Sequence, residues 1–498
     1  MDLFLQGFAV ALQPHNLLFC FLGVTVGMLI GVLPGLGSAA TISILLPVTY
    51  TVHPTTAVIM LAGIFYGAQY GGTVTSVLLR LPGEASAVVT AIDGYRMARQ
   101  GRAGSALGIA AIGSFIGGTV SIIGLTLVAP SVAGFALRFG PPEYAALALL
   151  GILLVANLGS GSPLKNIGAA ALGLLLATVG RDPLMGSSRF TFGSDALADG
   201  FDFVIIAMGL FGIGELLYNL ESRDKPAPPM PKFKRALPTW ADFLQSRMAI
   251  VRGSVLGFFL GILPGGGATM SSLVSYAVEK RSAKDPSRFG NGAIEGVAGP
   301  ETANNAAATS SFIPLLTLGI PANATMAVLF GALMLQGITP GPRLMGEHPD
   351  IFWGVINSMY VGNIFLLILS IPMIGVFVKI LKVRPAILAG LTVIIAMVGV
   401  YTVRFSAFDL LVVVGFGVLG YLMNKLGFAP APLVLAFVLG QLLETSFRQA
   451  LRMFDGDALG FVQRPISGTI IALIVISLVV PPLWNRFQSQ RVKEALHA

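Results

Sequence analysis

The heptapeptide Gly31-Val32-Leu33-Pro34-Gly35-Leu36-Gly37 has a near copy in the second half of the chain, at Gly261-Ile262-Leu263-Pro264-Gly265-Gly266-Gly267. Upstream of each copy, glycine recurs at every fourth residue, at Gly23 and Gly27 in the first half and at Gly253 and Gly257 in the second. Seven positions match at one constant interval without a gap. A match of this length predicts an internal duplication of the chain.

Each copy also contains the residues that interrupt a helix. Proline removes a backbone donor and clashes with the preceding turn, while glycine allows unusual dihedral angles. We therefore expect one helix to end at each Leu-Pro-Gly and another to begin just after it. The free N–H groups of the new helix would form an anion site inside a membrane. The regularly spaced glycines Gly23, Gly27, Gly253 and Gly257 are expected to serve close helix packing, and packing alone is the alternative for the breaks as well.

The composition limits the fold to one class. Of 498 residues, 55% are hydrophobic and only 11% are charged, against about a quarter charged in soluble domains. This excludes a soluble globular enzyme, a disordered chain and an outer-membrane β-barrel. Because helices satisfy every backbone polar group in hydrocarbon, the sequence predicts an all-α polytopic membrane protein with roughly 10–12 transmembrane helices.

Charge divides the chain into parts. We expect a first membrane repeat over 1–220, a basic, Pro-rich linker over 221–250, a second repeat with additional helices over 251–485, and a basic tail over 486–498. The net charge of +8 is concentrated in short segments, so we expect membrane lipid as a partner and no nucleic acid.

The positions of the basic segments predict how the two repeats are oriented. The first Lys or Arg is Arg80. The segments 93–104 and 279–291 are basic like the linker and should be cytoplasmic. The first repeat then begins outside and the second inside, which predicts inverted repeats.

The candidate substrate-binding residues lie near the breaks and near two Pro-containing turns. They are Gly35, Gly37, Ser38 and Thr41 at the first break; Gly265, Gly266, Gly267 and Thr269 at the second; Thr73, Thr75, Ser76, Arg80, Pro82, Gly83 and Ser86 around the first turn; and Pro321, Asn323 and Thr325 at the second turn. Arg80 would pair with a substrate carboxylate bidentately, or else extend to the membrane interface. Both turns could equally be surface loops.

The segment Pro300-Glu301-Thr302-Ala303-Asn304-Asn305 is the most polar stretch within an apolar region. A carboxylate is costly inside a membrane, so Glu301 should face a cavity or a partner. Asn304 and Asn305, together with the backbone around Pro34 and Pro264, could bind Na⁺, and the two amides could instead bind a substrate carboxylate. The alternative is hydrogen bonding between helices.

The chain resembles the large permease subunit of the tripartite tricarboxylate transporters over most of residues 20–345. The resemblance rests on many short motifs in order: Gly31-Val32-Leu33-Pro34-Gly35-Leu36-Gly37, Tyr70-Gly71-Gly72-Thr73, Pro82-Gly83-Glu84, Asp93-Gly94-Tyr95, Gly261-Ile262-Leu263-Pro264-Gly265, Phe289-Gly290, Gly296-Val297, Pro300-Glu301-Thr302-Ala303-Asn304-Asn305, the run from Ile313 to Pro321, and Pro340-Gly341-Pro342. At Ala322-Asn323, many relatives would be expected to have Gly-Ser.

The resemblance implies a multi-pass protein of the bacterial inner membrane that imports a carboxylate by symport along an ion gradient. It implies two protein partners, a small membrane subunit and a periplasmic solute-binding protein, and no cofactor other than Na⁺ or H⁺ as the coupling ion. A di- or tricarboxylate would be the substrate. A passive anion channel and an intramembrane enzyme remain the alternatives, although the motifs H-E-x-x-H, G-x-S-x-G and G-x-x-x-x-G-K-[ST] do not occur, so we do not expect an enzyme.

Overall fold

A computed structural model describes residues 2–33, 37–49, 51–81, 83–158, 162–221, 237–265, 267–380 and 385–478. Helices make up most of these residues. The first half contains α1 Asp2–Ala11, α2 Pro14–Gly31, α3 Ser38–Thr49, α4 Pro54–Leu79, α5 Thr90–Arg99, α6 Ala103–Ala136, α7 Pro141–Leu158, α8 Pro163–Ala177, α9 Phe203–Ala207 and α10 Glu215–Glu221. A π-helical segment, Met208–Gly214, joins the last two into one run.

The second half begins with the two helices on either side of the second predicted break. It contains α11 Trp240–Ile262, α12 Gly267–Ser282, α13 Glu295–Ser310, α14 Phe312–Leu318, α15 Ala324–Leu335, α16 Leu344–Glu347 and α17 Pro349–Ser370. The remaining helices are α18 Ile374–Ile380, α19 Pro385–Arg404, α20 Ala407–Lys425, α21 Pro430–Met453, α22 Gly460–Gln463 and α23 Pro465–Leu478.

Within the described residues, seven helical segments are long and apolar enough to cross a membrane. They are Pro14–Gly31, Pro54–Leu79, Ala103–Ala136, Phe203–Glu221, Pro349–Ser370, Ala407–Lys425 and Pro430–Met453. Six shorter apolar helices accompany them. Seven is below the predicted 10–12 because interrupted helices such as α3 are individually too short to cross alone. The prediction of an all-α polytopic membrane protein is confirmed.

Two helix pairs run side by side in the same direction. Along α2, Gly23, Gly27 and Gly31 lie successively against Met60, Ile64 and Ala68 of α4. Both sets of numbers rise together, so α2 and α4 are parallel and α3 returns between them. The same holds in the second half, where Gly253, Gly257 and Gly261 of α11 follow Gly299, Ala303 and Ala307 of α13.

One end of the molecule carries the basic loops, and we call it the basic face. The buried Asp93 carboxylate accepts hydrogen bonds from the N–H groups of Gly290, Gly292 and Ala293, at 2.8–2.9 Å. Arg102 pairs with Asp242 near the start of α11 at 2.7 Å. Helix α4 therefore ends near this face, whereas α11 and α13 begin at it.

The opposite end is formed by other loops. The Gln336 side chain, just after α15, donates to the carbonyl of Thr49 at 2.8 Å, and Thr49 lies just before α4. A small hairpin of strands β1 Gly180–Arg181 and β2 Ser188–Arg189 lies near the end of α15. A hydrogen bond from the Arg448 guanidinium lowers the pKa of Asp182, in this hairpin, to about 2.

Part of the range 221–250, predicted as a linker, is helical. Helix α10 ends at Glu221 and α11 begins at Trp240, so the last part of the predicted linker is helical. The reason is a capping box: the Thr239 hydroxyl accepts from the Asp242 N–H, and the Asp242 carboxylate accepts from the Thr239 N–H. Residues 222–236 and the predicted tail lie outside the described residues.

Candidate functional site

The first helix break lies deep in the protein, beside the middle of α4. Helix α2 ends at Gly31, where a Cβ would collide with the carbonyl of Ala68. Helix α3 begins at Ser38. Pro34 and Gly35, predicted to form this break, lie outside the described residues. The glycines of α2 allow backbone-to-backbone contact with α4, so the predicted packing role of Gly23 and Gly27 matches their surroundings.

The second break lies beside the middle of the α13–α14 segment. Helix α11 ends at Ile262 and α12 begins at Gly267. Gly265 and Gly267 both have positive φ angles, of 86° and 47°, which glycine adopts without strain. The Gly265 N–H donates to the Ala322 carbonyl at 2.8 Å. Gly266 lies outside the described residues.

Each break is met by the turn that follows the neighbouring long helix. Arg80 caps the C-terminus of α4 and Gly319 that of α14, and both have the left-handed conformation, with φ of 59° and 69°. After the first turn, the Glu84 carboxylate accepts from the Ser38 N–H at 2.5 Å. After the second, a Cβ at Gly267 would lie 3.8 Å from Nδ2 of Asn323. Pro82 lies outside the described residues.

A direct contact joins the first break to the start of α15, which directly follows the turn that meets the second break. The hydroxyl of Ser38, at the first break, lies 3.0 Å from the hydroxyl of Thr325, in the first turn of α15. Both hydroxyls belong to buried residues. Together with the bond from Gly265 to Ala322, this contact brings Ser38, Thr325, Asn323, Gly265 and the backbone near them into one region.

The surroundings of the start of α3, at Gly37 and Ser38, and of the start of α12, at Gly267, are called the first and second tips, and they differ in their ionisable groups. At the first, a Cβ on Gly37 would lie 3.7 Å from Oε2 of Glu84 and 4.0 Å from Oε1 of Glu215. Two carboxylates therefore surround the start of α3, and Glu84 already accepts its Ser38 N–H. At the second tip, the neutral amide of Asn323 holds the position equivalent to Glu84.

Several other predicted residues make local hydrogen bonds. The hydroxyl of Thr41 donates to the Gly37 carbonyl at 3.0 Å, that of Thr75 to the Gly72 carbonyl at 3.1 Å, and that of Ser86 to Oε1 of Gln69 at 2.7 Å. Gly83 packs against Gly31, and its N–H donates to the Gly72 carbonyl at 3.5 Å.

Two further predicted residues are exposed. Arg80 lines a surface cavity of about 290 Å³ with Tyr95, Arg96 and Gly290 on the basic face. The interfacial alternative given for Arg80 above requires an exposed side chain of this kind. Thr269 is exposed on α12. Neither side chain lies in the region shared by the breaks.

The polar stretch of α13 is buried. The Glu301 carboxylate accepts from the hydroxyls of Thr73, at 2.5 Å, and Thr90. Asn305 donates to the Ser114 hydroxyl at 2.7 Å and so links α13 to α6. Asn304 is fully buried, and neither of its amide atoms has a hydrogen-bond partner among the described residues. The Ser76 hydroxyl is also buried and has no hydrogen-bond partner among the described residues.

The sequence reasoning missed Glu84, Glu215 and Thr90 as site residues, and gave Asp93 no role. Glu215 had a usable signal, because an ionisable residue in an apolar segment is a functional candidate by default. Glu84 directly follows Pro82-Gly83, but its approach to Ser38 depends on how the turn folds back. Asp93 carries no local sign of the distant loop that it binds.

Comparison with known proteins gives the family. A sequence profile described as "Tripartite tricarboxylate transporter TctA family" matches residues 17–435. An uncharacterised 52.8 kDa protein of Agrobacterium vitis, from the TAR-I ttuC' 3' region, is 49% identical over 490 residues, which cover 98% of this chain and 97% of that protein. Another uncharacterised protein, from the TAR-II ttuC' 3' region of Agrobacterium vitis, is 50% identical over 224 residues, 45% of this chain and 93% of the relative. No solved structure matches.

The profile covers most of the chain, and its match includes both helix breaks and both turns that meet them. The resemblance inferred from the motifs is thereby confirmed: the chain belongs to the tripartite tricarboxylate transporter TctA family.

Proposed function

We propose that this chain is the permease of a secondary importer that moves a small di- or tricarboxylate across the bacterial inner membrane together with a cation. The observation that carries the proposal is the meeting of the two breaks, through the hydroxyls of Ser38 and Thr325 at 3.0 Å. Transporters of several folds bind substrate where interrupted helices of two repeats meet. The family points to transport rather than to an enzyme.

The substrate carboxylate is proposed to lie at the second tip. Helix α12 begins there with a glycine backbone, and the Asn323 amide lies beside it. An N-terminus and an amide donor suit a carboxylate. The first tip, with Glu84 and Glu215, is proposed to repel a second anionic group or to attract a cation. A negatively charged group of the substrate would therefore bind at the second tip and not at the first.

The two halves are proposed to be inverted repeats. Support comes from the directions of the helices: α4 ends near the basic face, while its counterpart α13 begins there. The basic face would be cytoplasmic by the usual excess of Lys and Arg on that side. A small membrane subunit and a periplasmic solute-binding protein are the proposed partners, by analogy with the family name.

The test is uptake by proteoliposomes that contain the purified permease and small subunit. Labelled carboxylates are offered with and without the binding protein, and with a Na⁺ gradient, a proton gradient or none. We expect accumulation above equilibrium that saturates and requires both the gradient and the binding protein. Linear, gradient-independent flux without the binding protein would instead indicate a passive channel and would refute the proposal.

A further inference from the structure

Glu301 is a carboxylate enclosed by neutral groups. It is 0% exposed, and its two oxygens accept from Thr73 of α4 and Thr90 of α5. None of the ion pairs in the described part of the chain includes Glu301. A buried carboxylate normally has a cation or several charge-stabilising donors beside it. Here the hydrogen-bond donors that reach the carboxylate with standard geometry are two neutral hydroxyls.

Asn304 adds a second, independent observation. It follows Glu301 by three residues on α13, so the two side chains lie on neighbouring parts of one helix surface. Asn304 is 0% exposed, and neither its Oδ1 nor its Nδ2 has a hydrogen-bond partner among the described residues. Its amide lies beside the Glu301 carboxylate but makes no hydrogen bond of standard geometry with it. Buried amides nearly always have partners, so an unpartnered amide beside an uncompensated carboxylate points to a ligand.

The atoms available define the class of ligand. A carboxylate, an amide carbonyl and two hydroxyls provide only oxygen, which hard cations prefer. A single negative charge balances a monovalent ion, whereas a divalent ion would leave an excess positive charge in the protein interior. We propose that Glu301, Asn304, Thr73 and Thr90 bind Na⁺, and that this ion is the coupling ion; the second part rests on the proposed function.

The location of these four residues gives the ion a means of influencing the first tip. Thr73 follows Gly72, and Gly72 packs against Glu84. On the other side, α13 carries the carbonyl groups of Gly299 and Ala303 against which the glycines of α11 pack. An ion at Glu301 would therefore link α4 and α5 of the first half to the helix that supports the second break.

The test measures Na⁺ binding without any carboxylate or gradient. The full-length chain, purified in detergent, is examined by ²²Na⁺ scintillation proximity and by thermal unfolding in NaCl against choline chloride. Wild type is expected to bind ²²Na⁺ and to unfold at a higher temperature in NaCl. Glu301→Gln, which preserves shape, should lose both effects. Glu347→Gln removes a carboxylate from an exposed position and should behave as wild type.

A matched pair at Thr73 provides a second measurement should Glu301→Gln fold poorly. Thr73→Val keeps the shape but removes the hydroxyl, and it should weaken Na⁺ affinity by about 10–100-fold. Thr73→Ser keeps the hydroxyl and should retain the affinity. Unchanged ²²Na⁺ binding in Glu301→Gln or in Thr73→Val would overturn the proposal. The proposal would also be overturned if the unfolding temperature of wild type changed with pH but not with Na⁺, because Glu301 would then bind a proton.

Failure of this test is distinct from failure of the proposed function. Na⁺ binding to the purified chain requires neither substrate nor the partner subunits. If wild type does not bind ²²Na⁺ but still takes up the carboxylate, the ion site is rejected and the proposed function is not. If wild type binds ²²Na⁺ but takes up no carboxylate, the proposed function is rejected and the ion site is not.

Discussion

Glu84 and Asn323 hold the same place in the two turns, but only Glu84 can carry a charge. Glu84 accepts the Ser38 N–H at the start of α3, whereas the Asn323 amide lies beside Gly267 at the start of α12. Asn323 also accepts from the Met326 N–H at 3.0 Å and so caps α15. Its oxygen is therefore engaged, and its NH₂ group is the part that could meet a carboxylate.

This difference predicts the effect of adding a charge at the second turn. Asn323→Asp should raise the Kd for the transported carboxylate at least about tenfold, because like charges close together in a desolvated site cost several kcal/mol. The measurement is equilibrium binding of the labelled carboxylate to the purified chain. The control is Asn291→Asp, the same change in an exposed loop. An equal Kd in wild type and Asn323→Asp would show that the anion binds elsewhere.

At the scale of elements, the broken helices are held by backbone contact. A Cβ at Gly27 would collide with the carbonyl of Ile64, and one at Gly257 with the carbonyl of Ala303. No side-chain layer separates these helices, so even a methyl group must displace backbone. In contrast, a Cβ at Gly415 of α20 would meet no atom within 4 Å.

Gly27→Ala and Gly257→Ala should therefore each lower the free energy of unfolding by about 1–3 kcal/mol, the usual cost of overpacking. Thermal unfolding in detergent, followed by size-exclusion fluorescence, measures the change in midpoint. Gly415→Ala is the matched control and should leave the midpoint unchanged or raise it slightly, because alanine favours helix. Midpoints that agree across all three variants would contradict the backbone contacts described above.

The helix breaks could be predicted from the sequence because proline and glycine act locally. The fourfold glycine spacing likewise predicted close packing, but not its partners, since nothing near Gly27 indicates that Ile64 will lie opposite. The parallel course of α2 and α4 follows from where α3 ends, a tertiary property. The approach of Glu84 to Ser38 was missed for the same reason: it depends on a turn folding back toward the break.

At the scale of the whole molecule, the distribution of contacts links both halves. Asp93 of the first half holds the loop that precedes α13 of the second. Arg102 pairs with Asp242 near the start of α11. These contacts lie on one face, while Gln336 and Thr49 meet at the other end. The starts of α2 and α11 are therefore expected on opposite sides of the membrane.

Cysteine accessibility tests this orientation. Cys20 is the chain's only cysteine and is 1% exposed, so introduced thiols can be labelled selectively. In intact cells, a membrane-impermeant maleimide should label Leu12→Cys, at the start of α2, but not Trp240→Cys, at the start of α11. Trp240→Cys should react only in inside-out vesicles, and Phe192→Cys, in the segment after the hairpin, serves as the outside control. Labelling of Leu12→Cys and Trp240→Cys from one side would disprove the inverted arrangement.

The glycine contacts also limit how the molecule can move. Because α2 touches α4 backbone to backbone, and α11 touches α13 in the same manner, we expect α2 and α4 to move as one rigid body and α11 and α13 as another. The hydroxyl pair of Ser38 and Thr325 is one of the contacts between these two bodies. We expect opening toward either side of the membrane to break this hydroxyl pair and to preserve the glycine contacts of α2 with α4 and of α11 with α13. The two tips would then move apart while the helices stay folded.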